Sequence, residues 1–111
     1  MTSPKRSAAE SDRDLIDRWL AGDSRAATLI VNAHADALAR FAVSSGERGG
    51  IQELVQDTFV RAFGSLDSFR GDSSLRTWLF TIERRLMLDR RRAERREPAT
   101  VPVQPGDAAT E

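Results

Sequence analysis

The 111-residue chain has no cysteine and a single histidine. Without cysteine it can form neither a disulfide framework nor a thiolate metal site, which suits a reducing compartment. One histidine, His34, supplies no set of inward-facing metal ligands. Gly-Asp-Ser occurs at residues 22–24 and 71–73, a tripeptide with which some hydrolases open. That chemistry needs a nucleophile on a strand-to-loop turn and a histidine base beside it. His34 falls inside a helical pattern and reads as a packing or surface residue. No apolar run approaches the roughly 18 residues that cross a bilayer. The opening MTSPKRSAAESDRD lacks the apolar core of a signal peptide. The expectation is a cytoplasmic protein with no membrane insertion, which also removes Arg-Gly-Asp at 70–72 as an adhesion motif. No cofactor, metal or small-molecule substrate is expected.

What is present is charge, at 31% of residues, arranged unevenly around a net charge of zero. Residues 1–69 carry 8 basic and 10 acidic side chains. Residues 70–96 carry 9 arginines against 4 acids, and residues 97–111 add 3 acids and no base. Positive charge concentrated late in the chain fits an anionic partner at that end; a solvated arginine-rich helix is the plainer alternative.

Apolar spacing predicts an all-α domain, a compact bundle of about four helices, with no strand alternation and no internal repeat. Residues 1–10 are expected to be disordered. The first helix starts at Ser11 or Asp12 and buries Leu15, Ile16, Trp19 and Leu20. Ala-Gly-Asp-Ser at 21–24 breaks it, with Gly22 in a left-handed position and Asp23 or Ser24 capping the next helix. The second helix runs from about residue 25 to 43, with Ala26, Leu29, Ile30, Ala33, Leu38, Phe41 and Ala42 inward. Ser-Ser-Gly-Glu-Arg-Gly-Gly (44–50) is the clearest loop.

The third helix, from Ile51, carries a wide apolar face of Ile51, Leu54, Val55, Phe59, Ala62, Phe63 and Leu66. Its opposite face, Glu53, Gln56, Asp57 and Val60 at i, i+3, i+4, i+7, forms an acidic and polar stripe with one exposed apolar residue. The fourth helix starts near residue 73 with Asp72 or Ser73 as cap and runs to about residue 95. Leu75, Trp78, Leu79, Ile82 and Leu86 make its core stripe, and arginines crowd the rest. Residues 97–111 hold three prolines without helical period and read as a flexible linker or tail. Arginines beside Phe69 and Phe80 are the elements of single-strand recognition, although each phenylalanine also suits plain core packing.

ELVQDTFVRAFGSLDSFRGDSSLRTWLFTIERRLMLDRRR (residues 53–92) resembles region two of the extracytoplasmic-function sigma factors. Their outline runs D-L-V-Q-E-T-F, D-x-F-R-G-x-S, T-W-L and I-A-R-N-x-x-x-D. Residues 15–42 resemble the family's opening helices and their G-D-x-x-A hinge, so the likeness spans about residues 11–96. The resemblance implies docking of the third helix on the β′ clamp helices of core RNA polymerase. The matching positions are Glu53, Leu54, Gln56, Asp57, Phe59, Val60 and Arg61, of which Phe59 also lies on the core stripe.

The resemblance further implies that the next loop and the fourth helix read promoter DNA at the minus-ten element. A base flipped from the duplex would enter a pocket of Ser65, Phe69, Ile82, Arg85 and Asp89, bordered by Arg70, Gly71, Asp72, Ser73 and Ser74. Arg76, Arg84, Arg90, Arg91 and Arg92 would hold phosphates. An anti-sigma factor is an expected further partner. The chain departs from the outline at I-A-R-N, where it reads Ile82-Glu83-Arg84-Arg85. A guanidinium thus replaces a short amide, and it pairs with guanine O6 and N7 or with phosphate, so the family's base preference does not carry over to this position. Relatives continue into a helix-turn-helix domain that binds the minus-thirty-five element, so the chain is expected to be the first half of a longer factor, with a natural protein reduced to one domain as the alternative. The alternative to promoter reading is a sigma-like helical adaptor that binds only protein.

Overall fold

The computed structural model describes residues 7–96. Those residues form helices α1 (Ser7–Leu20), α2 (Arg25–Ser44), α3 (Ile51–Gly64) and α4 (Leu75–Arg96), with a 3-10 turn at Leu66–Ser68. The all-α expectation holds among the described residues. The expected tail at 97–111 lies outside them, as do residues 1–6. α1 begins about one turn earlier than the expected cap at Ser11 or Asp12.

Local chemistry accounts for the breaks. Gly22 adopts φ 100°, the left-handed conformation that closes a helix without a Cβ clash. Its N–H donates to the Trp19 carbonyl, and the Asp23 N–H to that of Arg18. Asp23 then accepts the Arg25 N–H at 3.0 Å, which caps α2. That hydrogen bond, and then the Arg18 guanidinium, hold the Asp23 carboxyl below its ordinary pKa. α4 is capped by Ser74, whose Oγ accepts the Thr77 N–H at 3.0 Å. Asp72 and Ser73, the expected caps, stand outside the helix. Ser74→Ala is expected to cost about 1 kcal/mol, read as a melting temperature lower by roughly 4–8 °C.

The core has two parts. Ile16, Ile30, Leu38, Phe59, Ala62, Leu66, Leu75 and Leu79 form the larger, and Ala42, Leu54 and Met87 the smaller. α4 lies against both α2 and α3, so its buried line is Leu75, Leu79, Glu83 and Met87, one residue every turn. Trp78, Ile82 and Leu86, expected at the centre of the stripe, flank it half-buried. Leu29 and Ala33 face outward instead of inward, as does Leu20. Phe80 packs inward, stacked on Phe41 of α2 with ring centroids 4.6 Å apart.

His34 is buried at the junction of three helices. Its Nε2 lies 3.1 Å from Asp12 Oδ1 on α1, and Arg76 Nε of α4 donates to its Nδ1 at 3.1 Å. Arg76 also donates to the Ala33 carbonyl at 2.9 Å. Because guanidinium only donates, Nδ1 must accept, so Nε2 carries the proton and donates to Asp12. The lone histidine is therefore a structural clasp between α1, α2 and the start of α4.

Candidate protein-docking face and nucleic-acid interface

On α3 the acidic stripe is on the surface as its spacing requires. Glu53, Gln56 and Asp57 are exposed, and Val60 is 68% exposed. Leu54 and Phe59 are not part of that surface. Both sit in the core at 1% and 6% exposure, because they lie on the face that meets α2 and α4. Beside the stripe, Val31, Gln52, Val55, Gln56, Phe59, Val60 and Phe63 line an open groove of about 520 Å³. An acidic ridge flanking an apolar groove suits a helix with basic and apolar residues.

The loop after α3 holds the second surface. Ser65, Ile82 and Arg85 come together as expected, lining a cavity of about 310 Å³ with Arg61, Ser68, Trp78, Thr81 and Leu86. Arg61 also lines this cavity, and it is exposed one turn beyond Asp57 on α3. Trp78 is shared between core and cavity, and helical spacing places Trp78, Thr81, Ile82 and Arg85 on one face of α4. Phe69 does not line this cavity. It packs tilted against Trp78, with centroids 5.2 Å apart, and lines a separate cavity of about 220 Å³ with Asp12, Arg13, Gly71, Ser73, Ser74 and Leu75. Asp89 joins neither, and pairs with Arg92 at 3.2 Å one turn further along α4.

The arginines divide in a way composition does not reveal. Arg76 is committed to His34 and Ala33. Arg91 bridges to Glu47 at 2.9 Å and donates to the Ser45 carbonyl at 2.8 Å. Arg90 reaches back to the loop at Gly49, and its Nη1 is buried without a partner among the described residues. These three tether α4 to its neighbours, although Arg76 is exposed and Arg90 and Arg91 are half-buried. Arg70, Arg84, Arg85 and Arg92 are exposed, as are Gly71, Asp72, Ser73 and Ser74.

Glu83 is the residue that sequence reasoning missed. It is 0% exposed, and neither carboxylate oxygen has a hydrogen-bond partner among the described residues. Burial pushes its pKa up to about 7 from 4.5. The signal was its register: Glu83 is four residues beyond Leu79 and four before Met87, on the line that faces the other helices.

The family model described as Sigma-70 region 2 matches residues 30–97. Over 72 residues the chain is 35% identical to the ECF RNA polymerase sigma-E factor of Haemophilus influenzae, covering 65% of this chain and 38% of that protein. The proteins of that name from Escherichia coli K12 and Salmonella typhimurium LT2 are each 36% identical over 72 residues, with the same coverage. The chain thus spans well under half the length of these curated relatives. With most of α2, all of α3, the polar loop and the arginine-bearing α4 inside the matched residues, the chain belongs to the sigma-70 region 2 family, on its extracytoplasmic-function side.

Proposed function

We propose that this domain acts in transcription initiation without catalysing a reaction, docking on core RNA polymerase through α3 and capturing the minus-ten strand with the loop and α4. The observation that carries the reading is the cavity of Ser65, Trp78, Ile82 and Arg85 beneath an exposed arginine face. A base leaving the duplex loses stacking worth a few kcal/mol, which burial against Trp78 and hydrogen bonding to Arg85 would offset. Arg85 offers two parallel donors, a fit to the O6 and N7 acceptors of guanine. Arg84 supplies phosphate attraction outside the cavity. The acidic stripe and apolar groove of α3 suit the β′ clamp helices, and an anti-sigma factor would compete for the same groove.

Titration of single-stranded minus-ten oligonucleotides at two salt concentrations tests the strand-reading half. Arg84→Ala is expected to reduce the salt slope by about 0.7, the release expected for one single-strand phosphate contact. Arg76→Ala is expected to leave the slope unchanged and to lower the melting temperature, since its guanidinium serves His34. Phe69→Ala is expected to weaken sequence preference by removing the wall behind Trp78. A wild-type domain with no sequence preference among these strands, unaltered by Phe69→Ala, would leave only the protein-binding adaptor.

A further inference from the structure

We propose that the smaller cavity, between α1 and the loop, is a second base subsite in which Arg13 stacks on a nucleobase bearing an exocyclic amine. The inference rests on the strand-reading role above and extends it to α1, which lies outside the residues matched to the family. Phe69 lines this cavity, and Trp78 the larger one, so the tilted aromatic pair stands between the two. A strand with one base held beside Trp78 has its next base within reach of the other side of the same partition.

Three features select the ligand. First, the Arg13 guanidinium carbon lies 6.0 Å from the centre of the Phe69 ring, over its face, and among the described residues its one ion pair is an exposed 3.8 Å contact with Asp17. A base sandwiched at the roughly 3.4 Å spacing of stacked groups needs about 7 Å. Lifting a weakly held arginine by about 1 Å therefore opens the slot, because an exposed ion pair contributes little. Second, Gly71 leaves room for that guanidinium: a Cβ there would come within 2.9 Å of Arg13 Nη2, and the residue's φ of 81° independently favours glycine. Third, Asp12 closes the cavity. One carboxylate oxygen is taken by the buried His34, which ties α1 to α2, and the other remains an acceptor for an amine such as cytosine N4 or adenine N6. The same negative charge disfavours a phosphate, so the cavity takes a base and the backbone passes outside.

The test uses a fluorescein-labelled 12-nucleotide single strand selected on the wild-type 111-residue chain from a pool with randomised central positions. Each position is then made abasic in turn, and affinities are read by anisotropy for wild type, Arg13→Ala and Arg13→Lys. Wild type is expected to lose affinity roughly tenfold at two neighbouring positions, the loss of one stacked base each. Arg13→Ala should bind the intact strand about tenfold more weakly and become indifferent to one of the two abasic positions while keeping its sensitivity to the other. Arg13→Lys should not restore binding, because it has charge without a planar face. Thymine at the affected position should bind more weakly than cytosine or adenine. Equal weakening by Arg13→Ala on every abasic strand, or full rescue by lysine, would make Arg13 a phosphate contact and overturn the subsite alone. Wild type insensitive to every abasic position would overturn the strand-reading role together with it. The exposure of Arg13 keeps the melting temperature of these variants near wild type, which the same samples report.

Discussion

Glu83→Met is expected to gain about 3 kcal/mol of stability relative to wild type as pH rises from below 4.5 to above 7. The sign follows from proton binding. In the unfolded chain the carboxyl loses its proton near the ordinary glutamate pKa, whereas in the folded chain burial holds it to about 7. Between those values the unfolded state releases a proton that the native state keeps, so raising the pH favours unfolding. Above about 7 the native state must carry a buried anion with no donor at either oxygen. Methionine fills the site between Leu79 and Met87 without a charge and has no titration there. The measurement is the difference in unfolding free energy between the two proteins by denaturant titration across that range. Comparing variants cancels the carboxylates they share. A gap that does not change with pH would mean that the Glu83 carboxylate is solvated or paired in the native state. Arg84 and Arg85 lie on the solvent side of α4, so the substitution leaves the exposed arginine face in place.

Asp57→Arg is expected to weaken capture of the β′ clamp helices by at least tenfold while leaving folding stability within about 0.5 kcal/mol. Asp57 is exposed at the middle of the α3 stripe, with Glu53 one turn before it and Val60 one turn beyond. Reversing its charge sets a cation against a basic partner, and such a like-charge juxtaposition costs several kcal/mol at a close interface. Pull-down with the isolated clamp helices, paired with a thermal melt, separates lost docking from lost folding. Binding that survives the reversal would move the contact to the Val31, Val55 and Phe63 side of the groove, away from the stripe. Raising the salt should reduce the difference between the two proteins, since exposed charges are screened.

Helix existence and the positions of the breaks were legible because they depend on neighbours in the chain. Gly22 and Asp23 end one helix and cap the next within a few residues, and the α3 stripe at i, i+3, i+4, i+7 is exposed where spacing alone put it. Choice of cap was less legible: Asp72, Ser73 and Ser74 are all capable acceptors, and only the path of the loop decides that Ser74 meets the Thr77 N–H. The α4 stripe expected at Leu75, Trp78, Leu79, Ile82 and Leu86 keeps Leu75 and Leu79 but is rotated about the helix axis toward Glu83 and Met87. An arginine-rich helix pressed between two others buries the line at strict four-residue spacing, and that line includes a glutamate.

By itself, then, the sequence determined an all-α domain, its segment boundaries to within about a turn, the exposed acidic ridge and the concentration of arginine in its last helix. Those properties are set by local backbone preference and by the 3.6-residue period. Only the tertiary structure decided which arginines are available, because Arg76, Arg90 and Arg91 find carbonyl, imidazole and carboxylate partners about 40 residues away in the chain. It also divided the expected single pocket in two, by tilting Phe69 onto Trp78 and bringing α1 to the far side. The physical reason is common to these cases. A side chain's charge or aromaticity is written in its residue type, whereas its partner is chosen by helices that meet only after the chain has packed.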